Sequence, residues 1–200
     1  MVHWQNVEHI LRNGLCCRLH PDYDPNYVEI GHRQLITDRH TYSVKIQNYG
    51  TLGEYVPFYF AGHTPMLLKI KSGAENVVKR PQEDIVFLVS NHEVIKAEGL
   101  IYFFTDMNAK RALAEHFTNE KDFAKLRWDI IESRYWSNKD GVGRQDFKQA
   151  EYLVRNFVPL HCIRGLVVKN SERHDYFEEM IKELGLEIPV YVDKNCKLYY

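Results

Sequence analysis

The sequence predicts an α+β fold in a single domain over residues 1–200, with mixed, mostly antiparallel sheets and flanking helices. Three observations carry this. Strand-like and helix-like runs do not alternate regularly, as a doubly wound parallel sheet requires. There is no Gly-x-Gly-x-x-Gly, so a Rossmann topology has no support. No repeat, linker or low-complexity tract divides the 200 residues, a length that one core fills comfortably.

The elements follow in chain order. Residues 5–13 place Val7, Ile10 and Leu11 at helical spacing, with Gly14 as a stop, and predict a short helix. Pro21, Asp22, Asp24, Pro25 and Asn26 mark residues 20–29 as a loop. Residues 32–38 predict a helical turn leading to Arg39. Residues 41–46 alternate like a strand, and Asn48, Gly50 and Gly53 punctuate the turn that follows. Residues 55–60 read as a strand, with Pro57 arguing for an edge position. Residues 66–70 read as another strand, ended by Ser72 and Gly73.

The run 84–90 predicts a buried strand, and 93–96 with 101–104 a hairpin around Glu98 and Gly99. Thr105 and Asp106 offer a cap to a helix over 108–117. Residues 120–133 predict one amphipathic helix or two short ones. A polar, glycine-containing loop at 134–147 precedes strands at 151–155 and 163–168, a helix at 171–184 stopped by Gly185, and a last strand at 188–192. A loop of that length inside a compact domain points to function.

Composition narrows the classes. With 44% hydrophobic and 26% charged residues the chain is an ordinary soluble protein. The net charge of −1 announces no global basic field, so a nucleic acid would be held by a local patch and in a salt-sensitive way. Thirteen Tyr, ten Phe and three Trp suit a packed core and equally suit stacking on bases or nicotinamide. Cys16, Cys17, Cys162 and Cys196 show no metal-binding spacing, and the adjacent pair argues against a simple disulfide framework. Reduced thiols in a cytoplasmic protein are the expectation. His3, His9, His32, His63 and His161 form no metal pattern, and no metal is assigned. There is no signal-peptide pattern, and no apolar run approaches the ~20 residues of a membrane helix.

The most informative stretch is Gln149-Ala150-Glu151-Tyr152-Leu153-Val154, which sets one carboxylate at the start of an apolar strand, directly after the polar loop. Upstream stand Arg39 and the block Tyr55-Val56-Pro57-Phe58-Tyr59-Phe60, followed by Thr64-Pro65-Met66-Leu67. These residues resemble the DarT family of DNA ADP-ribosyltransferase toxins. So do Asn6-Val7 with Ile10-Leu11 and Gly14-Leu15, Ile30-Gly31 through Ile36 to Arg39, Phe104-Thr105-Asp106 with Ala109, Tyr135-Trp136, Val158-Pro159 and the closing Tyr199-Tyr200. Their order and spacing run over most of the chain.

The resemblance implies an ADP-ribosyltransferase-like fold and an NAD-dependent transfer of ADP-ribose to a base in single-stranded DNA. It also implies a toxin, with a macrodomain antitoxin that removes the modification. Glu151 looks like the catalytic glutamate and Arg39 like the residue that holds the NAD diphosphate. His3, Asn6, Tyr59 and Met66 look like further NAD-binding residues. The segment 134–150 looks like the loop that recognises the strand; by their own chemistry Arg134, Lys139, Arg144, Lys148 and Arg155 supply local positive charge, Tyr135 and Trp136 can stack, and Asn108 can read a base edge. Read by themselves, Tyr59 and Met66 also suit the core, Trp136 suits a core anchor for the loop, and Asn108 suits first-turn helix polarity.

Two departures from the pattern matter. The family opens on a His-hydrophobic-Thr-His run whose first histidine contacts NAD; this chain begins too late for it, and only His3 matches the second. Thymidine-modifying members carry Gly-His after Thr-Asp, where this chain has Met107-Asn108. That favours guanine as the target, with thymine second. Two other readings stay open: an acceptor that is RNA or protein, and a non-catalytic nucleic-acid-binding module with a vestigial NAD pocket.

Overall fold

A computed structural model describes residues 1–138 and 143–200, without the Arg33 side chain. In chain order the elements are β1 (Val2–His3), α1 (Val7–Asn13), β2 (Leu15–Cys16), α2 (Arg33–Arg39), β3 (Tyr55–Tyr59), α3 (Pro65–Ser72), β4 (Ile85–Val89), α4 (His92–Ala97) and β5 (Tyr102–Thr105). Then follow β6 (His116–Phe117), α5 (Trp128–Ile131), α6 (Arg144–Phe147), β7 (Glu151–Arg155), β8 (Phe157–Val158), β9 (Gly165–Val168), α7 (Ser171–Glu183) and β10 (Val190–Val192).

Two four-stranded sheets organise the chain, in the orders β1-β4-β9-β10 and β3-β7-β5-β6, and β2 pairs separately with β8. All pairings are antiparallel except the parallel β9–β10 pair. The expected α+β class, mostly antiparallel with flanking helices, is what the chain forms. Pro57 lies on β3 at the edge of its sheet, where its missing N–H costs no ladder bond.

The two faces of the second sheet have different tasks. Val56, Tyr152, Val154 and Phe104 point into the main core between the sheets, joined there by Val86, Leu88 and Leu166 from the first sheet. The alternate residues Tyr55, Leu153 and Phe103 pack on the opposite face against Val44, Leu52 and Ala109. Register pairs Tyr59 with Glu151, so both belong to this second face.

Four expected elements differ. Residues 41–46 form no strand, only a bridge between Ser43 and Thr51; the Val44 N–H donates to Gly50 O and the Leu52 N–H to Tyr42 O, closing a local loop. Residues 66–70 lie in helix α3, not a strand. Thr64 Oγ1 accepts the Leu67 N–H, Pro65 opens the first turn and Gly73 ends it at φ 75°. The run 93–96 belongs to helix α4, which Asn91 caps through the Val94 N–H. No helix spans 108–117. That segment is a series of turns ending in β6, because side chains elsewhere take up its backbone groups.

Candidate active site

Glu151 opens β7 and is only 2% exposed. Its Oε2 accepts from Arg39 Nη1 at 2.9 Å and its Oε1 from the Ala109 N–H at 3.1 Å. Its own N–H donates to Thr105 Oγ1 at 3.2 Å, and that hydroxyl donates to Met107 O at 2.6 Å. The carboxylate is held by α2 and by the turn after β5, and the backbone that carries it by the end of β5. Two of the acceptor positions remain to each oxygen's second lone pair.

Arg39 is the last residue of α2. A Cβ at Gly53 would stand 2.9 Å from His40 Cα, so the glycine lets the end of α2 close on the start of β3. Arg39 Nη2 is buried without a partner, and so is His40 Nε2. An unsatisfied guanidinium nitrogen beside a cavity is a ready donor to an oxyanion.

Two adjoining cavities share Met1, Phe58 and Leu88 in their walls. The first, about 190 Å³, is lined by Arg18, Tyr27, Arg39, His40 and Gly53. The second, about 410 Å³, is lined by Tyr59, Phe60, His92, Trp128 and Tyr152. Glu151 is in neither wall. It is joined to the first cavity through Arg39 and to the second through its register partner Tyr59, whose phenol pKa is pushed up by burial and by the Glu151 charge. In the second wall Tyr152 Oη meets His92 Nδ1 at 3.0 Å, and His92 Nε2 meets Glu120 at 3.2 Å.

The other expected NAD-binding residues stand apart from both walls. His3 is buried; its Nδ1 accepts the Gln5 N–H, and its Nε2 meets Arg80 Nη1 at 3.4 Å and Asp84 at 4.0 Å. Asn6 spends both ends of its amide on Val28 backbone, at 3.0 and 2.8 Å, which fixes the segment carrying Tyr27 and Glu29. Met66 packs in α3 beside a core cluster that includes Leu67 and Ile70. In this arrangement the polar atoms of His3 and Asn6 are engaged within the protein, and Met66 packs on apolar neighbours.

The expected nucleic-acid residues divide similarly. Tyr135 is 81% exposed and Arg134 is exposed, while Arg144 Nη2 donates to Tyr135 O at 3.4 Å. Asn108 Oδ1 accepts the Lys110 N–H, leaving its amide nitrogen for another acceptor. Lys148, expected as a nucleic-acid contact, is buried, and its Nζ donates to Ile131 O and Ser133 O, stitching the end of α6 to the start of the loop. Burial pulls its pKa down to about 8. Arg155 is paired with Glu54 at 2.9 Å, so its charge is offset. Lys139 lies outside the described residues. Trp136 is half-buried and its Nε1–H donates to Tyr200 Oη, the anchoring role weighed for it.

Sequence reading gave no role at the site to several groups that the fold brings together. Thr105 and Ala109 meet Glu151 across the sheet, and Lys45 reaches the 111–114 turn from 66 residues away. Glu98, His161 and Cys162 bring three ligating atoms within 4.8 Å of one another, although Glu98 is remote in sequence from the other two. No local spacing announces such juxtapositions.

The whole chain is similar to known proteins. The family described as "ssDNA thymidine ADP-ribosyltransferase, DarT" matches residues 1–200. A DNA ADP-ribosyl transferase of Escherichia coli O127:H6 is 31% identical over 96% of this chain and 88% of its own length. The structure of Thermus sp. 2.9 DarT in complex with ADP-ribosylated ssDNA superposes with a TM-score of 0.90 at 29% identity, covering 100% of this chain and 93% of that one. The same Thermus protein in complex with NAD+ gives a TM-score of 0.83 at 29% identity, covering 100% and 94%. The fold is ADP-ribosyltransferase-like. The chain belongs to the DarT family.

Proposed function

We propose that this protein transfers ADP-ribose from NAD to a base in single-stranded DNA, with Glu151 as the catalytic carboxylate. The observation that carries the proposal is the Arg39–Glu151 pair, with Arg39 in the wall of the first cavity and its Nη2 buried without a partner among the described residues. A DarT family match over the whole chain supports the acceptor class.

Arg39 binds the NAD diphosphate through bidentate, charge-assisted bonds, and in doing so moves off Glu151. The freed carboxylate accepts the 2′-hydroxyl of the nicotinamide ribose. The bond from the anomeric carbon to nicotinamide breaks, and its electron pair leaves with the ring as neutral nicotinamide. Glu151 stabilises the oxocarbenium-like ribose that results. A nitrogen of the DNA base attacks the anomeric carbon, and its proton passes to Glu151. A base is attacked outside a duplex, so the strand is single. Tyr135, Arg134, Arg144 and Asn108 form its contact surface.

Guanine is the favoured base, because Met107-Asn108 stand where thymidine-modifying relatives carry Gly-His. Thymine is the second reading, favoured by the family's description. The protein acts as a toxin restrained by a macrodomain partner that removes the modification. Labelled NAD and oligonucleotides varied one base at a time test the proposal. Label on guanine-containing single strands is expected; label confined to thymine moves the target, and label confined to RNA or protein moves the acceptor. Glu151→Gln is expected to lose activity by roughly 100-fold or more while binding NAD much as the parent does. A variant that labels as well as the parent removes Glu151 from the mechanism.

A further inference from the structure

Leu113 and Tyr135 are the two most exposed large apolar side chains among the described residues, at 84% and 81%. A single exposed leucine is ordinary on a protein surface. This one is held by an unusual amount of structure. It sits in a turn closed by the Ala114 N–H on Arg111 O at 3.0 Å. The Lys45 ammonium donates to Arg111 O at 3.0 Å, Ala112 O at 2.8 Å and Ala114 O at 2.8 Å, which uses all three of its N–H groups. Asp106 accepts the Glu115 N–H at 2.9 Å, and Ala114 is buried behind the tip.

The same turn is tied to the catalytic carboxylate and to the loop of Tyr135. Ala109 donates to Glu151, and Arg111 makes two bonds to Asp146 of α6, at 2.9 and 2.6 Å. Lys45 hydrogen-bonds carbonyls rather than a carboxylate, and its charge also acts on Asp106 at the base of the turn. A rigid turn that holds an aliphatic side chain out into water gains nothing from it inside the molecule. The bonds that order the turn leave that side chain free to contact another molecule. An exposed apolar tip on a turn bonded to Glu151 suits a ligand with apolar faces brought to that carboxylate, which describes the bases of a single nucleic-acid strand.

Resting on the reading of single-stranded DNA as acceptor, we infer that Leu113 is an apolar wedge that enters between the modified base and its neighbour. It unstacks the two and presents the target to Glu151. Leucine is among the side chains that insert between base steps, and unstacking is the step that frees a base for attack.

The test uses the whole protein and an oligonucleotide carrying 2-aminopurine beside the target base, which brightens when unstacked. The parent is expected to raise the fluorescence on binding. Leu113→Ser is expected to abolish the rise and increase KM for the oligonucleotide about tenfold, with KM for NAD unchanged. Leu113→Phe is expected to restore both. If the parent labels single-stranded DNA and Leu113→Ser matches it in KM and in fluorescence, the wedge is overturned while the reading of the acceptor stands. If the parent labels no single-stranded DNA, that reading falls and takes the wedge with it.

Discussion

Arg39 bears on two partners with one guanidinium. Nη1 is spent on Glu151, and Nη2 is buried with none. Lysine at this position keeps the charge but presents a point rather than a fork, so it cannot make the paired bonds to phosphate oxygens that a guanidinium makes. Arg39→Lys is expected to raise Kd for NAD about tenfold, read by calorimetry, with the thermal midpoint nearly unchanged. An unchanged Kd would remove Arg39 from the diphosphate. Glu151 was legible in the sequence as a carboxylate opening an apolar strand, and Arg39 through the family resemblance. The partners that make this glutamate different from an edge charge were not. Thr105 and Ala109 are 46 and 42 residues away, and they meet it only because the register of β5 on β7 brings them there.

At the scale of elements, the loop before β7 is stitched shut by Lys148, which joins its two ends through backbone carbonyls. The charged ammonium pays for its burial in a lowered pKa of about 8, whereas the unfolded chain titrates near the ordinary 10.5. Between these values the unfolded state binds the extra proton, so stability rises with pH across that window. The gain amounts to roughly 3 kcal/mol at most by pH 10.5. Urea unfolding at pH 7, 9 and 10 checks it: the parent is expected to gain and Lys148→Met to stay flat. A parent with no gain would mean that the amine is better solvated than its surroundings indicate.

Elements with an unambiguous period, such as α1, β4 and α7, were readable from sequence. The short apolar run 66–70 was not, since four or five apolar residues fit a strand or one face of a helix equally well. Thr64, Pro65 and Gly73 decided for the helix. The 108–117 segment misled in the opposite direction: its composition suits a helix, but Lys45, Asp106 and Asp146 claim its backbone and side chains from outside.

At the scale of the whole molecule, a net charge of −1 leaves no long-range field to gather DNA. Attraction must come from local cations such as Arg134 and Arg144 around the exposed Tyr135. KM for a single-stranded oligonucleotide is therefore expected to rise with salt with a log–log slope of about 0.7 per phosphate contacted, roughly 2 in all for three contacts. KM for NAD is expected to move less. A KM for DNA indifferent to salt would mean that stacking alone holds the strand.

The closed Arg39–Glu151 pair also sets a timetable. Until a dinucleotide draws the guanidinium away, an arriving strand meets a spent acid and a locked door, and nothing can be exchanged. Substrates are therefore expected to enter in compulsory sequence, the small one ahead of the polymer, and product-inhibition patterns with nicotinamide would reveal the reverse order if it held.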